Sequence, residues 1–133
     1  MTNWLAGMEI TADRLNDGID ATTTTTGLTA ATDFTVTSFS GRRSGKVVTV
    51  DVFVQYTGAG INVTNPGDNI TDTPMCTLPS GWRPPETMNA IWGSGAVHGD
   101  TNIATTGVMS LRTTSNDIVT NANIRVVASW ITD

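Results

Sequence analysis

The stretch "KVVTVDVFVQY", Lys46–Tyr56, alternates apolar and polar residues along its length. Residues at every second position share one apolar face: Val48, Val50, Val52, Val54 and Tyr56. Thr49, Asp51 and Gln55 point the other way, and Phe53 is an apolar exception between them on that polar face. A period of two is typical of a strand that buries one face in a core and turns the other to solvent. The stretch therefore predicts a strand of an antiparallel sheet.

Further alternating runs extend this pattern along the chain. "NIRVVASWI", Asn123–Ile131, places Ile124, Val126, Ala128 and Trp130 on one face. Weaker runs are "DFTVTSF", "NITDTPMCTL", "ETMNAIW" and "GVMSLRT", and the turn sequences "GAG", "NPGD", "GSG" and "TSND" fall between the runs. Short strands at this spacing predict an all-β fold, an antiparallel β-sandwich of jelly-roll-like form.

The N-terminal part differs in composition from the rest. Thr11 can cap a short helix over "ADRLND", which Gly18 would end. The polar run "ATTTTTGLTAAT", 21–32, reads as an extended connector. We therefore predict an attachment arm with one short helix over residues 1–28 and a β-sandwich domain over 29–133. The arm would bind a partner through its apolar residues, which are Trp4, Leu5, Met8, Ile10 and Leu15.

Composition excludes several classes of partner. The chain has 133 residues and a formal charge of −5, whereas sequence-independent binding of nucleic acid needs an excess of lysine and arginine. Its apolar runs are too short to span a bilayer. The start "MTNWLAGMEI" does not have the basic and apolar regions of a secretory signal, so we expect maturation in a cytoplasm and no nucleic-acid or membrane partner.

Residues suited to catalysis or metal binding are scattered. Cys76 and His98 are the only cysteine and histidine, too few for a zinc site, and Cys76 reads as a buried apolar residue. Asp68, Asp100 and Asp117 lie beside glycine or asparagine in predicted turns. The oxygen-rich run "NPGDNITD" also reads as a turn, because it has no closing glutamate of a calcium loop. We expect no catalytic residue, cofactor or metal; a carbohydrate-active enzyme is the catalytic alternative.

A second stretch, "TLPSGWRPP", is a proline-rich turn that contains a large aromatic residue. Its prolines fix φ on either side of Gly81, so that Trp82 can fold back over one end of the core. Arg83 could then bind a backbone carbonyl or a carboxylate of a neighbouring subunit. The alternative is a solvent-facing loop with an incidental aromatic. The structural residues predicted here are Leu78, Pro79, Gly81, Trp82, Arg83 and Pro84.

Taken in order, "GRRSGKVVTVDVFVQYTGAG", "CTLPSGWRPPETMNA", "TTGVMSLRTT" and "IRVVASWIT" resemble a pattern of bacteriophage tail-fibre and receptor-binding head domains. In that pattern a strand of the type Gly-Asn-Val-Val precedes a Leu-Pro-x-Gly-Tyr-Arg-Pro turn. Here Lys46 replaces the asparagine and Trp82 the tyrosine. The opening "NWLAGMEITADRLNDGI" is similar to the N-terminal segment of small structural proteins of phages that infect actinobacteria.

This resemblance implies a β-sandwich that packs as a homotrimer on the surface of a virion, after synthesis in the host cytoplasm. The last predicted strand is apolar on both faces, which suggests a subunit contact with Val127, Trp130 and Ile131 as interface residues. We expect a non-enzymatic tail-fibre or tail-tip protein that contacts other virion proteins and a host cell-wall glycan. The alternative is a capsid decoration protein bound to the major capsid protein. The "LPSGWRP" stretch favours the first, and small size without a long fibrous shaft favours the second.

Overall fold

The computed structural model describes residues 21–132 together with Gly7, Thr11 and Ala12. Every strand pairing in the described part is antiparallel, which confirms the prediction of an all-β antiparallel fold. The strands are β1 (Thr22–Thr24), β2 (Thr29–Ala30), β3 (Phe34–Ser44), β4 (Val47–Tyr56), β5 (Asn69–Thr77), β6 (Met88–Gly93), β7 (His98–Ile103), β8 (Val108–Thr113) and β9 (Asn123–Ile131).

The strands form one hydrogen-bonded sheet in the order β1-β3-β4-β9-β6-β7-β8-β5-β2. Strands β6, β7 and β8 are neighbours in succession. The strand that precedes them in the chain, β5, lies beside β8, which makes a Greek key. Strand β9 then lies between β4 and β6. It pairs with β4 from Val47↔Ile131 to Gln55↔Asn123, so the two strands with the clearest alternation are neighbours.

The sheet curls until its two edges come close together. Strand β1 pairs with β3 at one edge, and β2 pairs with β5 at the other. Only residues 25–28 separate these two short strands. Because an extended chain advances about 3.3–3.6 Å per residue, the path from Thr24 to Thr29 spans at most about 18 Å. The segment Thr22–Ala30, here called the closing strap, therefore joins the two edges.

The closing strap corrects the predicted connector. We expected residues 21–28 to lie outside the β-domain, but Thr22–Thr24 pair with β3 and Leu28 packs against the core. Threonine disfavours helix and suits an edge strand, which needs backbone pairing more than apolar surface. This part of the predicted arm belongs to the sheet. The helix predicted over 12–17, apart from Ala12, lies outside the described residues, as do Trp4, Leu5, Met8, Ile10 and Leu15.

The core lies between the facing halves of the curled sheet. From β4 and β9 it takes the alternating residues that the sequence predicted: Val48, Val50, Val52, Val54, Tyr56, Ile124, Val126, Ala128 and Trp130, all buried. From the other half it takes Met75, Cys76, Ile103, Met109 and Leu111, which are fully buried. Full burial of an aliphatic side chain of this size contributes about 1.5–3 kcal/mol, so the two faces together supply most of the driving force.

Trp92 is the largest fully buried side chain in the described part of the chain. It lies opposite Gly99 in the β6–β7 pair, and its Nε1 donates a hydrogen bond to the carbonyl oxygen of Thr113 at 2.9 Å. A Cβ at Gly99 would lie 1.9 Å from that oxygen and 2.8 Å from Nε1. The absence of a side chain at Gly99 therefore lets the indole reach its partner.

Cys76 is fully buried in β5 and pairs with Ala30 of the closing strap. Burial raises the pKa of its thiol from 9.0 to about 12, because an apolar site disfavours the thiolate. Burial of the neutral thiol therefore stabilises the fold fully below pH 9.0. That stabilisation is lost as the pH rises towards about 12, because the unfolded chain then ionises its thiol more readily. We expect the folded protein to resist a thiol reagent at mildly alkaline pH and to react fully in denaturant. Rapid labelling without denaturant would show that the strap leaves β5 readily.

Candidate interaction surface

The "TLPSGWRPP" loop is held closely against the end of the sheet. Leu78 is fully buried, and its N–H donates to the carbonyl oxygen of Gly107 at 2.9 Å. The N–H of Trp82 donates to the carbonyl oxygen of Pro79 at 3.1 Å, across Gly81 at a φ of 86°. A side chain would be strained at that angle, so glycine is required for the turn.

Trp82 packs against β3 and the core and is half-buried. A Cβ at Gly41 would lie 2.7 Å from Cε3 of the indole, so the ring lies directly on the backbone of β3. The guanidinium carbon of Arg43 is 5.6 Å from the ring centroid, and the same side chain donates a hydrogen bond to the carbonyl oxygen of Gly81. The loop is thus bound to β3 through the indole of Trp82 and through the carbonyl oxygen of Gly81.

Arg83 folds back onto its own loop. Its Nε donates to the carbonyl oxygen of Leu78 at 3.0 Å, so the backbone carbonyl is the partner found within the chain. Gly107 leaves room for this contact, since a Cβ there would lie 2.7 Å from Nε. Pro84 is buried. The loop therefore serves as a rigid connection between β5 and β6.

Among the described residues, most of the large apolar side chains that are exposed lie on the outward side of the sheet. We call it the outer face and define it as the outward residues of β4 and β9 together with Ile91 and Gly93 of β6. Its exposed apolar side chains are Val47, Val127, Ile131 and Ile91, with 51%, 55%, 68% and 70% of their surface accessible. They alternate with the buried residues of the same strands, as a period of two requires.

The three residues predicted for a trimer interface lie on opposite sides of β9. Val127 and Ile131 belong to the outer face. Trp130 points inward and keeps 9% of its surface accessible. Its ring lines a groove with residues 84–88, and its Nε1 is buried without a hydrogen-bond partner in the described part of the chain. Of the three, only Val127 and Ile131 are surface residues of the single chain.

Polar groups on the outer face form an ordered row across β4 and β9. Asp51 Oδ1 lies 3.5 Å from Arg125 Nε, and the Arg125 guanidinium stacks over Phe53 at 4.6 Å from the ring centroid. Thr49 and Ser129 join their hydroxyls at 2.7 Å. Phe53, the exception to the polar pattern in the sequence, thus makes a cation–π contact with a charged side chain. Both ion-pair partners remain about half exposed, so the pair adds little to stability.

A groove of about 560 Å³ opens beside this row. Its lining consists of Phe53, Asn123, Arg125, Val127 and the hairpin residues Gly93, Ser94 and Gly95. Gly95 has a φ of 91° and is required by the turn. Gly93 has no positive φ, and a Cβ there would meet nothing within 4 Å. Neither backbone strain nor packing among the described residues explains a glycine at residue 93.

Of the other sites considered in the sequence, Asp68 serves local structure. Asp68 Oδ2 accepts a hydrogen bond from the N–H of Asn65 at 2.8 Å, so its carboxylate completes the "NPGD" turn. Over residues 21–132, Gly7, Thr11 and Ala12, no three histidine, cysteine or acidic side chains come together as metal ligands. His98 is exposed in β7 opposite Gly93. No helix in the described ranges is long and apolar enough to cross a membrane.

No protein-family model matches the chain, and a search of curated proteins finds no significant relative. The function is therefore inferred from the residues and their geometry. Sequence reasoning named Val127 and Ile131 as interface candidates and noted Phe53 only as an exception to the polar pattern, and it did not single out Val47, Ile91 or Gly93. The missing signal was strand pairing, because residues of three strands form one surface only once the order β4-β9-β6 is known.

Proposed function

We propose that this chain is a non-enzymatic structural protein of a bacteriophage virion surface, of the tail-fibre or tail-tip type. The observation that supports this role best is the outer face, where exposed apolar side chains on three neighbouring strands suit contact with other proteins. The resemblance carried by "LPSGWRP" and by the opening segment agrees with such a role. In this form of the proposal the protein is a homotrimer, contacts other tail proteins and binds a host cell-wall glycan.

The fold supports a mechanical role. Both edges of the sheet are short strands joined by the closing strap, and the "TLPSGWRPP" loop is fixed to β3. Short edge strands give another chain little to pair with, so such a protein resists unwanted edge-to-edge association in a crowded assembly. Specific contacts would then be made through side chains of the outer face.

The second candidate is a capsid decoration protein bound to the major capsid protein. The described residues form a single curled sheet without an elongated shaft, which suits a subunit that covers a shell. Copy number separates the two forms. Quantitative mass spectrometry of purified virions should give a few trimers per particle for a tail tip and hundreds of copies for decoration, whereas absence of the chain from virions would contradict both.

The N-terminal segment provides a test of attachment. We expect a chain that begins at residue 21 to fold and remain soluble but to lose its ability to join particles, because the sheet and closing strap are retained while the apolar arm is removed. The full-length and shortened chains would be added to virions that lack the protein, and co-sedimentation measured. Unimpaired assembly of the shortened chain would show that the arm is not the anchor.

A chain that begins at Thr29 is the informative comparison. It loses the β1–β3 pairing and Gly27, whose backbone approaches Pro79 so closely that a Cβ would lie 3.0 Å from that side chain. We therefore expect a lower melting temperature than for the chain that begins at residue 21. Equal melting temperatures would mean that the first half of the strap contributes nothing to the fold.

A further inference from the structure

We propose that the outer face is the surface through which copies of this chain bind one another, with the groove beside Phe53 and Gly93 receiving part of the neighbouring copy. The inference deepens the homotrimer of the proposed function by assigning its contact surface. It does not depend on the phage role, since it is argued from apolar exposure, charge and close backbone approach on this face.

Apolar exposure is concentrated on the outer face. Four of the six large apolar residues that are exposed in the described part of the chain lie there, and Phe53 adds a half-buried ring. The outward side of a sheet that remains in solvent carries polar residues instead. A set of isoleucine and valine side chains on adjacent strands therefore indicates a surface that another protein covers.

Charge favours a second copy as the occupant. The whole chain carries −5, so two copies repel one another over most orientations. On the outer face Asp51 and Arg125 cancel, and this surface is free of that net repulsion. Residues of unlike charge flank the outer face on its two neighbouring strands. Arg42 of β3 pairs with Thr49, and Asp100 of β7 pairs with Ile91. In a closed ring one side of each copy meets the other side of the next.

Gly93 indicates where the neighbour comes closest. A glycine in a strand weakens it and often marks the place where another backbone or a ligand approaches. The open space over Gly93 continues into the groove that Phe53, Asn123 and Arg125 line. The terminal nitrogens of Arg125 make no hydrogen bond within the described residues, so they can donate to carbonyl or carboxylate oxygens of an adjoining copy.

The test is the mass of the full-length chain in solution. Sedimentation equilibrium at micromolar concentration should give three times the 14.0 kDa of one chain. Val127→Lys and Ile131→Lys should each weaken association by about tenfold or more, because a charge would be buried in an apolar contact. Val119→Lys is the matched control: Val119 is 64% exposed but lies outside the outer face, so this variant should associate like the original chain.

Gly93→Val provides a variant without added charge. The position has room for a side chain and ordinary strand geometry, so we expect the melting temperature of the single chain to be maintained or raised. Filling the groove should nevertheless weaken association by about tenfold or more. A mass of 14.0 kDa for the original chain, or equal association of the Val127→Lys and Val119→Lys variants, would overturn the inference.

Failure of this inference is distinguishable from failure of the proposed function. A chain that forms trimers through the outer face but never co-sediments with virions would leave the interface intact and contradict the phage role. A chain that enters virions yet remains a monomer in solution, with the Val127→Lys variant incorporated normally, would contradict the proposed interface and leave the phage role intact.

Discussion

Gly99→Ala is expected to destabilise the protein by about 3 kcal/mol or more, the sum of overpacking and a lost, partly buried hydrogen bond. The added methyl group would lie 1.9 Å from the carbonyl oxygen of Thr113. To relieve this overlap, β7 must move away, or Trp92 must withdraw its Nε1 from that oxygen, to which it now donates at 2.9 Å. Denaturant unfolding followed by the summed fluorescence of the four tryptophans would measure the loss.

Gly93→Ala is the matched control for this prediction. Both glycines belong to the β6–β7 hairpin, and neither has a positive φ. A Cβ at Gly93 meets nothing within 4 Å, so alanine there should leave stability unchanged or raise it by about 0.5–1 kcal/mol through the reduced entropy of the unfolded chain. Equal effects at the two positions would mean that Trp92 is not held against Gly99 in solution.

Trp82→Ala is expected to cost about 2–4 kcal/mol, somewhat less than a fully buried tryptophan, because part of the ring is accessible. The change removes the contact between the indole and the backbone of β3 at Gly41. It also leaves Arg43 without the ring that it approaches at 5.6 Å. The melting temperature should fall sharply, and thermal unfolding followed by circular dichroism would measure it.

Trp82→Phe is the conservative companion of that variant. Phenylalanine retains an aromatic face for Gly41 and Arg43 but fills less of the space, so its melting temperature should lie between those of the original chain and Trp82→Ala. If Trp82→Ala melted like the original chain, the ring would not contribute to folding, and the solvent-facing alternative for this loop would be correct.

Much of the β-domain could be predicted from local pattern. The alternation in "KVVTVDVFVQY" and "NIRVVASWI" identified β4, β9 and the buried residues that each provides, because a period of two depends only on the chain itself. Among the less regular runs, β5 is interrupted by two register shifts, between Asn69 and Thr73 and between Pro74 and Cys76. Such irregularities turn side chains away from strict alternation, so the sequence signal there is weaker.

The surface of the molecule was less predictable than its core. Phe53 attracted attention as an exception, but its partner Arg125 stood more than seventy residues away in the sequence and could not be assigned. Trp130 was expected at an interface because β9 is apolar on both faces. The face of β9 that carries Trp130 packs inward, within the same chain. Which of two apolar faces is covered internally depends on what lies opposite, and that information is not local.

The sequence by itself determined the all-β class, the two central strands and the positions that enter the core, since alternation and turn residues act over a few neighbouring residues. Only the tertiary structure decided that residues 22–30 close the sheet, that Gly99 must lack a side chain while Gly93 need not, and that Val47, Ile91, Val127 and Ile131 form one face. These features arise when distant segments pair in one register, and the space around each residue is then set by its partners across the sheet.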